Sequence, residues 1–451
     1  MFLRTVLVGA CAALLSRAAG APSKITFNKD VLSIVQKRCQ GCHRPGEVAP
    51  MPFLTYSDVR PWAKAIREAV LTRKMPPWFA DPHYGKFSND RSLTKGEIDT
   101  LVSWVDGGAR EGDPKDAPAP VEWVDGWSIG KPDAVFEMPH DFEVPAAGTI
   151  EYQYIVIPSG FTKDTWVQAA EARPGNRRLV HHIIAFVRPP GSEWLKEAKP
   201  GVPFVPVEKK EEGEDKKKEG EDKKKEDKAE SDEASTTTEL LIGFAPGLVP
   251  MTLPPGRAKM VKAGSDFVFQ MHYTATGKAG TDRSRIGVIF AKEPPSERVF
   301  TANASNTKFV IPAGDPAFRV DSSITLQAPA RLVDLMPHMH YRGKDFEYRL
   351  VYPTGEKQIV LSVPKYDFNW QLFYYFSDPI VLPKGTKIEC TAHFDNSPNN
   401  PSNPDPTKQV GWGDQSWDEM MVGFLDVAFD ARMPVKNLYV ERREDKKAGG
   451  E

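Results

Sequence analysis

From residue 127 onward, apolar and polar positions alternate in short runs separated by Gly- and Pro-containing turns. Residues 149–158 place Ile150, Tyr152, Tyr154 and Val156 on one side. Residues 179–187, 266–274, 346–352 and 387–394 behave similarly, which is the period-two signature of strands. Strands at this spacing predict antiparallel β-sandwiches, one over residues 127–295 and one over 296–442. Nearer the N-terminus the period changes. Val31, Ile34 and Val35 share a face of a helix predicted over 29–38, and a second helix is predicted over 58–73. A third covers 94–107, where Thr94 and Glu97 have capping-box spacing and Ile98, Leu101, Val102 and Val105 form the buried stripe, with Trp104 beside it as core. The predicted fold class is therefore mainly β: two antiparallel β-sandwich domains preceded by a small all-α domain over residues 23–113.

Two stretches break these patterns. Residues 114–126 begin with a Pro-, Ala- and Asp-rich run and read as a linker. Residues 208–233 hold nine lysines and thirteen acidic residues, with Ala229 the one apolar residue. Such a segment buries no core and reads as a disordered charged insert within the first sandwich. The N-terminus has Arg4, an apolar run over 5–15 and the small residues Ala18-Ala19-Gly20-Ala21. This is the pattern of a cleaved secretory signal over residues 1–21, so the expected location is periplasmic or secreted. Cys11 lies only seven residues beyond Arg4, with the apolar run continuing past it, which disfavours a lipid-anchored cysteine. No later run reaches the ~18 apolar residues of a membrane helix, so no stable membrane insertion is expected. A formal net charge of -2 leaves no general basic footprint for nucleic acid.

Cysteine usage narrows the chemistry. With Cys11 in the signal and Cys39 and Cys42 in one motif, Cys390 has no partner for a disulfide. Cys39-Gln40-Gly41-Cys42-His43 is C-x-x-C-H, the attachment signature of a covalently bound c-type haem with His43 as an iron ligand. A redox C-x-x-C would follow a strand rather than the helix predicted here, and a zinc site would want a second cysteine pair. Met75, on a loop stiffened by Pro76-Pro77, is the preferred second axial ligand, with Met51 and His83 as open alternatives.

Five further histidines fall on apolar strand patterns. His338 and His340, two apart, face the same way. His181 and His182 are adjacent, so a regular strand would send them to opposite faces, and sharing one ligand requires a bulge or a strand end there. His272 lies in Phe267-Val268-Phe269-Gln270-Met271-His272-Tyr273. A single such residue reads as a hydrogen-bonded core histidine; burying five without a shared purpose is costly. His140 and His393 have no motif behind them and read as structural.

Val180-His181-His182, Gln270-Met271-His272-Tyr273, His338-Met339-His340 and Asp418-Glu419-Met420 resemble, in order, the motifs of the copper type II monooxygenases. This family includes peptidylglycine α-hydroxylating and dopamine β-monooxygenases, and the likeness covers roughly residues 127–442. The resemblance implies two jelly-roll-like sandwiches, each with one copper, facing a solvent-filled cleft. It implies that His181, His182 and His272 hold an electron-transferring copper. His338, His340 and Met420 would hold the copper at which oxygen and substrate react, a soft thioether there favouring Cu(I). Met421 points to the other face, and Met336 and Met339 read as packing. The upstream haem motif departs from the ascorbate-fed animal enzymes and suggests the haem as electron source, with an outside donor to re-reduce it. The expected function is hydroxylation of an activated C–H bond of a small organic substrate. The alternatives are a non-enzymatic haem and copper electron-transfer or copper-handling protein, and a zinc hydrolase, which leaves the haem without purpose. The loop over 394–406 is a candidate for shaping the cleft.

Overall fold

Pro61 shapes the helical part of the chain. The predicted helix over 58–73 is broken into Tyr56–Val59, a 3-10 turn Arg60–Trp62 and Ala63–Leu71. A proline inside a helix removes one N–H donor and crowds the preceding turn, so the chain resets there. The other two helical predictions hold with small shifts. A π-type turn Phe27–Val31 runs into the helix Leu32–Arg38. The helix Lys95–Asp106 carries the complete capping box, Thr94 accepting from Glu97 and Glu97 accepting from the Thr94 N–H. Phe27, Val31, Val35, Val59, Leu101 and Trp104 form the core between them.

These coordinates are a computed structural model that describes residues 25–124, 126–206 and 238–441. The predicted signal over 1–21, with Cys11, and the charged insert over 208–233 lie outside the described residues. Residues up to 44, 51–76 and 93–121 group as the helical unit, and residues 45–50, 77–92 and 122 onward as a β-rich unit. Two segments inside the predicted 23–113 domain thus belong to the β-rich unit. Glu47 pairs with Arg177 at 3.0 Å, and the Phe87 ring lies 5.2 Å from Phe376 and 5.5 Å from Tyr374. Among the described residues, no helix is long and apolar enough to cross a membrane.

The β-rich unit is built of layered antiparallel sheets. Strands Gln153–Pro158, Asp266–Tyr273, Val180–Arg188 and Glu239–Phe244 form a four-stranded sheet in that order. Its apolar face packs on strands Ala134–Glu137, Arg285–Phe290, Thr165–Arg173 and Arg257–Val261 around Ile155, Val167, Ile183, Phe267 and Val288. A second core, with Leu332, Tyr348, Leu361, Ile388 and Leu425, lies between Glu297–Ser305, Val422–Asp430, Ala330–His338 and Tyr374–Leu382 and a five-stranded sheet. The five-stranded sheet includes Phe318–Leu326, Gly343–Val351, Lys357–Val363 and Lys387–Phe394. The expected boundary near residue 295 is a seam rather than a break. Glu297 and Arg298 pair in parallel with Arg257 and Ala258, so one nine-stranded sheet runs through both halves. Cys390 is buried and free, so among the described residues no disulfide braces either core.

The seam fixes which face looks inward. On the second half's side of this sheet, Val299 and Ala428 join the first core. One rung further, Thr301, Asp426 and Asp334 stand opposite one another. Lys259 reaches this rung, donating to Thr301 Oγ1 at 2.6 Å and pairing with Asp426 at 3.2 Å. Beyond it Met336 stands opposite Phe424, and His338 opposite Val422, on the wall of a cavity.

Candidate metal centres

The first ligand set depends on an irregular strand. Pairing of Val180–Arg188 with Asp266–Tyr273 runs Val180 to Tyr273 and then His182 to His272, with a register shift between them. His181 is the extra residue of this bulge, which turns two consecutive side chains toward one side. The three imidazoles converge, with ring centroids 4.8–5.6 Å apart. His181, His182 and His272 each offer a nitrogen within 4.8 Å of the others. His181 Nδ1 and His182 Nδ1 face each other at 3.4 Å. His182 Nε2 and His272 Nδ1 are buried and have no hydrogen-bond partner. Buried imidazole nitrogens without partners are costly unless something binds them. A metal with nitrogen bonds of about 2.0–2.1 Å needs only a small inward shift of this cluster.

The second set is prepared from outside. His338 ends the strand Ala330–His338 and His340 follows it, their rings 5.2 Å apart and perpendicular. His338 Nδ1 lies 2.6 Å from Gln371 Oε1, and His340 Nδ1 lies 3.3 Å from the Asp418 carbonyl. Each acceptor demands a proton on Nδ1, which leaves the Nε2 lone pair of both rings for a ligand. Glu419, fully buried, accepts the backbone N–H of His340 at 3.0 Å and of Arg342 at 2.6 Å. One tripeptide, Asp418-Glu419-Met420, therefore orients His340, pins its backbone and presents Met420 to the cavity. Met421 turns into the second core, as alternation predicts, and so does Met339. Met336, expected as packing, instead lines the cavity on the face of His338.

Burial dominates the electrostatics. It drives His272 and His340 down to about 3 and His182 well below the usual imidazole range, and it lowers His181 and His338. Neighbouring imidazoles add to the effect, and His182 feels His338 and His340 as well as its own set. All five rings are therefore neutral near pH 7, the form that coordinates a metal. Three imidazoles gather in one cluster, and His338 and His340 line a cavity whose wall also includes the Met420 thioether. Imidazole suits Zn, Cu, Fe and Ni, whereas a thioether selects soft Cu(I).

Both sets border one cavity of about 1370 Å³, whose walls include His182, His338, His340 and Met420. Two aromatic side chains to which the sequence reading gave no role at the site stand against these histidines. The Tyr152 ring packs 4.8 Å from His272 and its hydroxyl meets Ser416 Oγ at 3.1 Å. Phe368 stands 5.9 Å from His181 in parallel and 6.1 Å from His340 edge-on. The one signal that residues 366–371 give in the sequence is the alternation of the aromatics Tyr366, Phe368 and Trp370. The loop over 394–406 does not line the cavity. Its Asn396 accepts from Arg342 Nε at 2.8 Å and so buttresses the backbone that Glu419 holds.

In the helical unit, Cys39 caps the helix Leu32–Arg38, and the N–H groups of Cys42 and His43 both bond to its carbonyl. This turn gathers both thiols and the imidazole on one short segment. Burial pushes the Cys39 thiol up to about 12, keeping it protonated. The His43 ring stacks on Phe53 at 4.2 Å, and its Nδ1 lies 3.1 Å from the Met51 carbonyl, which leaves Nε2 unengaged. Met51 is thus tied to the His43 ring itself and packs into the helical core. Met75 is half-buried after the helix Ala63–Leu71. His83 belongs to the β-rich unit, is mostly exposed and bonds to Asp81. His140 is exposed, and His393 bonds to Asp345 at 2.6 Å.

No protein-family model matches the chain, and no curated protein matches it. Among solved structures, it is similar to allantoicase with a TM-score of 0.15 and 8% identity, covering 56% of this chain and 79% of that one. It is also similar to a structure of infectious bursal disease virus Gt strain, with a TM-score of 0.18 and 10% identity, covering 73% and 78% of the two chains. Likeness this slight carries no argument about function. The geometry itself defines a mainly β protein with a three-imidazole cluster beside a second pair of oriented histidines.

Proposed function

We propose that the protein is an exported dicopper monooxygenase that hydroxylates an activated C–H bond of a small organic molecule with O2, drawing electrons through a covalently bound c-type haem. The observation that carries this reading is one cavity bordered by His182 of a three-imidazole cluster and by His338, His340 and Met420. His181, His182 and His272 offer imidazole alone, suited to a copper that passes electrons. His338, His340 and Met420 add a soft thioether, suited to the Cu(I) that reacts with oxygen. Bound copper would supply one-electron chemistry with O2; the chain's part is to orient the donors and to border the space a substrate would enter.

The jelly-roll-like pair of sandwiches follows from the same reading, and a cytochrome c-like fold for the helical unit follows from Cys39, Cys42 and His43. Met75 is the distal ligand we favour, since the Met51 backbone carbonyl is bonded to the His43 ring itself, which places Met51 on the His43 side, and His83 is exposed. Hydroxylation consumes two electrons and one haem stores one, so an external donor must re-reduce it between transfers. The residues that cap His338 and His340 argue against a merely copper-carrying protein, because a carrier has no need to fix both tautomers beside a large cavity. The test is metal analysis followed by oxygen uptake. We expect near two coppers and one haem iron per chain, and uptake that depends on an added organic substrate. His338→Ala should abolish uptake and leave the haem absorption intact. Uptake that survives this substitution overturns the assignment.

A further inference from the structure

Resting on that copper reading, we infer that residues 366–371 form a strap that couples the two ligand sets, with Phe368 as the positioning residue between them. The strap is anchored at both ends. The Tyr366 hydroxyl accepts the Met339 N–H at 3.1 Å and donates to the Met339 carbonyl at 2.7 Å, so it grips the residue between His338 and His340. Its ring lies over Gly343, where a Cβ would stand 2.8 Å from Tyr366 Cδ1. At the other end Gln371, itself buried, fixes the His338 tautomer. Asp367 closes a turn between the anchors by accepting the Asn369 N–H at 3.0 Å.

This leaves Phe368 little freedom. Its ring is 8% exposed and touches His181 of one set, His340 of the other, and Tyr341 at 4.8 Å. Closing a metal into the first set must draw together nitrogens now spread over as much as 4.8 Å. The His181 ring then becomes fixed against Phe368, and Phe368 against His340. Because the strap is already held at both ends, the shift of His181 is passed through Phe368 to His340 rather than absorbed, so the first metal sets the ring of the second set and raises its affinity. Repulsion between two bound cations acts in the opposite direction. The sign of the coupling therefore decides between the strap and bare electrostatics.

The experiment is stepwise Cu(I) titration of the full haem-bearing chain against a competing chelator. Sulfur ligation seen by X-ray absorption identifies filling of the Met420 site. His272→Ala should remove one copper and weaken the remaining site by roughly five- to a hundredfold, the usual span of intersite coupling. In a Phe368→Ala background the same His272→Ala change should leave the remaining site's affinity unaltered, closing the double-mutant cycle with a non-zero interaction. Phe368→Leu, which keeps bulk without an aromatic ring, should retain most of the coupling. An unchanged or tightened second site in His272→Ala, or equal coupling with and without Phe368, overturns the inference. A wild-type chain that binds no copper overturns the copper reading instead.

Discussion

Glu419→Gln tests how the second ligand set is built. Glu419 is completely buried, and each of its carboxyl oxygens takes a backbone N–H, from His340 at 3.0 Å and from Arg342 at 2.6 Å. Glutamine keeps one oxygen and turns an amide nitrogen toward the other donor, so one buried N–H loses its acceptor. Such a loss costs roughly 1–3 kcal/mol, and a donor facing a donor places this site in the upper half of that range. The Arg342 guanidinium, 3.8 Å from Glu419 with both side chains buried, loses that neighbour but keeps the Asn396 oxygen at 2.8 Å and the Trp417 carbonyl at 2.9 Å. We therefore expect a deficit of about 2–3 kcal/mol, read from the urea transition of the β-rich unit with the full chain. We also expect copper affinity at the Met420 site to fall about 10- to 100-fold, the usual effect of losing a group that orients a ligand. The His181, His182 and His272 site should bind as before. A Met420 site of unchanged affinity in a destabilised variant would show that Glu419 supports the fold and not the ligands, and the reasoning would fail.

Two further substitutions probe the surroundings. Burial, then the neighbouring Asp426, push the Asp334 carboxyl well above its ordinary range, and its Oδ1 has no partner. The folded chain thus holds a proton that the unfolded chain releases. This contribution to stability is complete below the unfolded pKa of about 4 and is lost as pH rises toward the folded value. Asp334→Asn removes the dependence, so the variant should gain on the wild type as pH rises from 5 to 8, by at most about 1.4 kcal/mol per pH unit in denaturation curves; a gap that narrows over that range refutes it. Gly343→Ala would set a Cβ 2.7 Å from that of Met339 and 2.8 Å from Tyr366. We expect it to cost about 1–3 kcal/mol by thermal unfolding and to weaken the Met420 site, as crowding displaces Tyr366.

How far the site was legible in the sequence follows from what each residue does. Ligands carry their chemistry in their identity, so histidines on apolar strands stand out one by one. The bulge at His181 was legible too, because two adjacent ligands cannot share a face of a regular strand, and the register shift between Val180 and His182 supplies it. Alternation separated Met420 from Met421 but not Met336 from Met339. The two flank His338 on opposite faces, yet both are apolar, and only the position of the cavity shows which one borders it. The helical region was misjudged where periodicity was read over Pro61.

The residues that orient the ligands were illegible for a different reason. Gln371 lies 33 positions after His338, and Glu419 lies 79 after His340. Neither has a distinctive residue type; Gln371 acts through one hydrogen bond and Glu419 through two, all of which exist only once distant segments have packed. Phe368 reads as any core phenylalanine until His181 and His340 are seen on either side of it. Donor identity was written locally, while donor orientation is a product of contacts between segments far apart in sequence, His338 with Gln371 and His340 with Asp418 and Glu419. It follows that substitutions at Gln371 or Glu419 should change how tightly copper is held without changing which atoms hold it, whereas substitutions at His338 or Met420 remove a donor outright.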